Sequence, residues 1–315
     1  MSVRSNVISL LTKRKSRSNA IKDSVSRKIF LFFNTVFLAL FTFICVSPMI
    51  HLLAVSLSQD HYAVAGMVSF WPRGFTTAAY EFMTAQSAFF TALFVSLRRV
   101  ALGTAVNMIL VVLVGYPLSK EVEVFRFRTV YAWFFVVTMF LGGGLIPTFV
   151  VVSNLGLMNS LWALVLPSAV NVWNAILLLN FFRGIPKELE EAARMDGASH
   201  LVTLIKIYLP LSLPALATIL LFVVVGHWNS WFDGLIYMTQ PINYPLQTYL
   251  ALLVMEADTA TRNIMTLEDI QRLQYVSGTT VRLAQIFMGA LPVMMVYPFL
   301  QRFFIKGIVV GSVKG

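Results

Sequence analysis

From Thr129 to Phe182 the chain reads TVYAWFFVVTMFLGGGLIPTFVVVSNLGLMNSLWALVLPSAVNVWNAILLLNFF, without a single Asp, Glu, Lys, Arg or His. A membrane-spanning helix needs about 20 largely apolar residues, so this stretch is too long for one span and right for two. Ser153-Asn154-Leu155-Gly156-Leu157-Met158-Asn159-Ser160 supplies the turn residues that divide it. Working outward, further apolar runs lie at Ile29–Val55, at Val100–Ser119 with a start near Ala88, at Ile207–Phe232 and at Leu283–Gln301. An all-α membrane protein is expected, with six transmembrane helices at roughly 29–56, 88–119, 129–153, 160–182, 207–237 and 281–304.

Composition agrees. Of the 315 residues, 58% are hydrophobic and 12% charged, and the mean hydropathy is +0.77. Soluble domains run near 45–50% apolar and about 25% charged, so a chain this poor in charge needs lipid as part of its solvent. A soluble enzyme, a disordered chain and a disulfide scaffold are thereby disfavoured. Cys45 is the only cysteine, so no internal disulfide forms. His51, His61, His200 and His227 are scattered, and no metal-binding cluster is expected.

The distribution of Lys and Arg orients the spans. With the N-terminus inside, the inner segments 1–28, 120–128, 183–206 and 302–315 hold 18 of the 24 basic residues. The outer segments hold Arg73, Arg262, Arg272 and Arg282, while Arg98 and Arg99 fall inside the second span. Both termini are therefore expected in the cytoplasm. The net charge of +10 is mostly topology rather than a nucleic-acid patch. The chain is expected to divide into a basic cytoplasmic segment 1–28, a six-helix membrane domain 29–306 and a cytoplasmic tail 307–315. Two outer loops stand out. One, 57–87, includes Trp71-Pro72-Arg73-Gly74; the other, 238–280, is too long for a simple connection. The second loop is read as short helices that present a contact surface, with a solvated loop as the alternative.

The inner loop 185–210 is the most informative segment. Pro186 suits a first helical position. Glu188, Glu190 and Glu191 favour the positive end of the helix dipole. Leu189, Ala192 and Ala193 form a small apolar face. Asp196-Gly197 stops the helix, and Ser199 caps a second one that leads into the fifth span. A short helix of this kind is marginal alone, so packing must hold it. The residues leave two readings: a knob docked by a partner, or an amphipathic connector resting on the bilayer.

Glu191-Ala192-Ala193, three residues, Gly197, nine residues, Ile207, one residue and Leu209-Pro210 match EAA-x3-G-x9-I-x-LP at every position. The chain resembles the permease subunits of carbohydrate ABC importers through this motif. The likeness extends to Gly143-Gly144-Leu145-Ile146-Pro147-Thr148, Asn154-Leu155-Gly156-Leu157, Gly226–Asp233 and the tail Gly307–Gly315. It looks most similar to the lipoprotein/aldouronate-type branch of the maltose-type second permease family. The basic segment before residue 29 is not part of the match. The resemblance implies a type I ABC importer permease fold in a bacterial plasma membrane. It implies a heterodimer with a second homologous permease, two ATPase subunits that hold ATP and Mg, and an extracytoplasmic substrate-binding protein. It also implies that Glu190, Glu191, Ala192, Ala193, Asp196 and Gly197 couple to the ATPase, and that Gly311, Val313 and Lys314 touch it.

Polar groups in a span are costly and tend to face the bundle interior. Arg98, Arg99 and Asn107 qualify, although both arginines lie where they can snorkel to the interface. Asn171, Trp173 and Asn174 form a second group. The segment His227-Trp228-Asn229-Ser230-Trp231 with Asp233 forms a third and is the expected sugar path. Aromatic rings stack on sugar C–H faces, and Asn or Asp satisfy hydroxyls. Trp228 and Trp231, three apart, are expected on one helical face. An interfacial aromatic belt is the competing reading. No G-x-x-x-x-G-K-[ST] phosphate loop is present, so the chain is expected not to be an enzyme and to take its energy from a partner. A permease for a non-sugar solute and, less favoured, a secondary carrier remain as alternatives. The carrier would need acidic residues in its spans, and Asp233 is the only one placed there.

Overall fold

The computed structural model describes residues 24–262 and 278–312. Among them the regular structure is entirely helical. The chain divides into two compact units, Met1–His51 and Leu52–Gly315. In the first, helix α1 (Val25–Ser56, whose last residues pass into the second unit) is apolar on all sides and its side chains from Val25 to Val46 are exposed. A helix apolar all round in this way matches a lipid environment.

The second unit continues with α2 (Asp60–Val64), α3 (Ala78–Ala85) and α4 (Ser87–Ser119). After α4 come α5 (Arg128–Phe140), α6 (Leu145–Asn154), α7 (Leu161–Val165), α8 (Val172–Arg183) and the charged helix α9 (Lys187–Met195). The chain then runs through α10 (His200–Leu211), α11 (Leu213–Asn229), α12 (Phe232–Tyr237), α13 (Leu246–Arg262) and α14 (Thr279–Ser312).

α4 is the centre of the packing. Its Val111, Val114, Tyr116 and Leu118 meet Ala175, Leu178 and Phe182 of α8 and Ile219 and Val223 of α11. Nearer its start, Phe89 and Ala92 join Met83, Trp228, Leu246 and Leu250 in a second cluster. Val152, Ala163, Leu164, Tyr237 and Met238 form a third.

Among the described residues, α1 and α4 are the single helices long and apolar enough to cross a membrane. Three further runs are bent pairs. α5 and α6 meet at 113° across Leu141–Gly144, α7 and α8 at 53°, and α10 and α11 at 82°. Proline contributes at the last two, since Pro167 and Pro214 lack the N–H that would continue the ladder. The six apolar runs are therefore not six straight rods. The segment 238–280, expected outside the membrane, contains a short 3₁₀ turn at Pro241–Asn243 and then α13, whose Leu246, Thr248 and Leu250 are buried. That part is packed structure, not solvated loop. Residues 263–277 of the segment lie outside the described residues.

Candidate functional site

Two polar sites interrupt the apolar packing. The first is built around α9. Pro186 precedes the helix, and at its end Gly197 takes φ +78°, a left-handed conformation that suits glycine. The backbone N–H of Ala198 then bonds the Ala193 carbonyl at 2.9 Å. Ser199 caps α10 through Val202 N–H. Within α10, Leu204–Tyr208 forms a π-helical turn that carries Tyr208 inward.

Glu190 is the hub. Its carboxylate accepts from Lys120 Nζ at 2.8 Å, from Tyr208 Oη at 2.6 Å and from Arg194 Nη2 at 2.7 Å. Lys120 Nζ stands 4.0 Å from the ring centroids of both Tyr116 and Tyr208. Those rings meet edge to face at 5.1 Å, with Phe182 alongside. Burial opposes ionisation of Glu190, but its bonds from Lys120 and Tyr208 and the charges of Lys120 and Arg194 outweigh that and lower its pKa. A second tie joins Lys187 to Glu121. A cavity of about 310 Å³ opens beside this network.

Of the six residues expected to face the ATPase, Glu190 thus turns inward and fastens α9 to the end of α4 and to α10. Ala193 is half-buried. Glu191, Ala192, Asp196 and Gly197 are exposed, together with Leu189 and Met195, the last at 88%. Gly311 falls in α14, where its side-chain surroundings are not described, and Val313 and Lys314 lie outside the described residues. Lys120 and Tyr208 were missed in the sequence: Lys120 counted only as a positive flank, and Tyr208 as part of an apolar run.

The second site is a cavity of about 430 Å³ bounded by α4, α8, α11 and α12. α4 contributes Arg99 and Asn107. Asn171, Trp173 and Asn174 come from the start of α8, where the Asn171 side chain caps Asn174 N–H at 3.0 Å. His227, Ser230 and Asp233 come from the end of α11 and the start of α12. Arg99 is only 1% exposed. Its Nη1 donates to Asp233 Oδ1 at 3.0 Å and to the Ser230 carbonyl at 3.1 Å, and its Nη2 closes the fork on Asp233 Oδ2. Ser230 Oγ and Gly234 N–H also donate to Asp233 Oδ1, at 2.8 and 2.9 Å. The His227 ring lies against Gly103, and a Cβ at Gly103 would collide with that ring.

The residues expected on the sugar path are placed apart. Asn171, Asn174 and Asp233 line this cavity; Trp228, Asn229 and Trp231 do not. Trp228 is 4% exposed in the second apolar cluster, with its Nε1 donating to the Gly289 carbonyl at 2.9 Å. α11 ends at Asn229 and Ser230 is extended at ψ 121°, so the three-residue spacing of Trp228 and Trp231 no longer places them on one face. Trp231 is exposed and packs on Phe232, and Asn229 is exposed. The two arginines also part company. Arg98 is exposed over the Phe94 ring, whereas Arg99 is locked inside. Among the described residues no cluster of His, Cys, Asp and Glu is arranged to hold a metal.

No family model matches the chain. It is 38% identical over 284 residues to the polygalacturonan/rhamnogalacturonan transport system permease protein YtcP of Bacillus subtilis (strain 168), covering 89% of this chain and 96% of that protein. It is 35% identical over 297 residues to Protein LplC of the same organism, covering 94% and 99%. Its fold superposes on a chain from the crystal structure of a bacterial ABC transporter involved in the import of the acidic polysaccharide alginate. There the TM-score is 0.78 and the identity 31%, covering 90% of this chain and 99% of that one.

Proposed function

This chain belongs to the carbohydrate ABC importer permeases, and from that premise we propose that it passes an acidic oligosaccharide through the bacterial plasma membrane by alternating access. It is a membrane protein and a translocation subunit. In the proposed complex it pairs with a second homologous permease to enclose the path. Its spans number six, with both termini in the cytoplasm, as the Lys and Arg distribution supports. Two separate ATPase subunits bind ATP and Mg and drive the cycle, and an extracytoplasmic binding protein delivers the cargo.

The observation that carries this reading is α9, fastened at Glu190 to α4 and α10 while Leu189, Glu191, Ala192 and Met195 stay exposed. A partner that moves α9 moves the ends of both attached helices. The acidic cargo is supported by what the relatives are named for, polygalacturonan and alginate, and Arg99 in the cavity wall is a group able to bind a carboxylate. A non-sugar solute accords less well with those relatives. The test is ATP-dependent accumulation of a galacturonate trimer by proteoliposomes that hold the complete complex and its binding protein. Accumulation that stops without ATP is expected. Import of a neutral trisaccharide in its place, or of neither, would overturn the reading.

A further inference from the structure

Arg99, Gly103 and Asn107 follow one another at four-residue intervals, so they form one stripe along α4. Both polar ends of that stripe line the 430 Å³ cavity. Arg99 is 99% buried and Asn107 is 4% exposed, yet Arg99 Nε and Asn107 Nδ2 have no hydrogen-bond partner among the described residues. Both atoms are donors only, and buried donors are normally satisfied. What completes them is an acceptor. Asp233 already shows the preferred form of that acceptor, a carboxylate on the guanidinium fork.

Asp233 is also prepared to let go. Ser230 Oγ–H and Gly234 N–H hold its Oδ1 independently of Arg99. If Arg99 turned to another carboxylate, Asp233 would keep two donors. Resting on the reading of the cargo as acidic, we propose that Arg99 determines specificity by exchanging Asp233 for a uronate carboxylate as the oligosaccharide enters the cavity. Asn107 then donates to a hydroxyl or ring oxygen of the same chain of sugars, and the exposed Trp173 ring offers a stacking face. A neutral sugar of the same shape lacks the second carboxylate and leaves the Arg99–Asp233 fork closed.

The experiment compares galacturonate trimer with its full methyl ester, which keeps the sugar backbone and removes the charge. The complete complex in proteoliposomes is used, and assembly is checked by co-purification of its subunits. The native complex should show a KM for the acid about tenfold below that for the ester, the scale of one charge-assisted hydrogen bond. Asp233→Asn removes the competing carboxylate and should widen the ratio of the ester's KM to the acid's. The double variant Arg99→Gln/Asp233→Asn leaves no unpaired charge and should take acid and ester with equal KM. Asn107→Asp should raise the KM for both compounds, because it removes a donor to the sugar, and more for the acid, because it adds a repelling charge.

Discrimination that survives in the double variant, or an Asn107→Asp effect equal on acid and ester, would overturn the Arg99 exchange while leaving acidic import standing. Native complex that imports neither compound would overturn the cargo assignment itself.

Discussion

At Glu190 three donors converge on one carboxylate, and its pKa falls below the ordinary 4.5 despite partial burial. Because the folded value is the depressed one, the stabilisation is complete above that ordinary value and disappears as pH falls through the folded value. Glu190→Gln should cost about 2 kcal/mol near pH 7, the scale of a hydrogen bond to a charged group. It should also flatten the acid side of a plot of unfolding temperature against pH. An unchanged acid limb would mean that the three bonds do not hold α9. Trp228→Ala should lower the unfolding temperature of the complex through a loss of about 3–5 kcal/mol, because it empties a packed site. Loss of uptake at an unchanged unfolding temperature would return Trp228 to the transport path. At this scale little was legible in advance. Arg194 and Glu190 are one helical turn apart, but Lys120 and Arg99 meet acids 70 and 134 positions away. Such pairings depend on which helix faces pack together, and spacing along the chain does not carry that.

Elements were far more readable. Pro186, Asp196-Gly197 and Ser199 delimit α9 and the start of α10 as their local chemistry predicts. The apolar runs at 29–56 and 88–119 correspond closely to α1 and α4. What hydropathy does not register is direction: a bend of 113° within the run from Arg128 to Asn154 leaves the mean hydropathy untouched. Ser230 shows the same blindness on a smaller scale, since one extended residue separates two tryptophans that an unbroken helix would align. The proposed role of α9 makes its own prediction. Gly197→Pro forbids the left-handed turn, because proline fixes φ near −65°. Glu191→Lys reverses the charge on the exposed face. Each should cut uptake at least tenfold while ATP hydrolysis by the complex continues. Undiminished uptake by both variants would count against the coupling role.

At the scale of the molecule, charge and hydrophobicity divide the labour. Basic residues gather in the segments assigned to the cytoplasm, and many large apolar side chains are exposed among the described residues, from Phe94 and Leu113 of α4 to Val130 and Phe140 of α5. Exposed apolar area on this scale calls for lipid and for partner subunits. The sequence contains no G-x-x-x-x-G-K-[ST] phosphate loop, which fits the proposal that separate ATPase subunits drive the cycle. The membrane class and the importer family were legible from composition and from the spacing around Glu191. The polar cavity was legible only in fragments, because its walls come from four helices. The importer assignment is tested most directly by isolating the tagged chain from its own membranes under mild conditions and identifying its companions by mass spectrometry. A second six-helix permease and a P-loop ATPase in near-stoichiometric amounts are the predicted result. Recovery of the chain alone, or only with copies of itself, would contradict it.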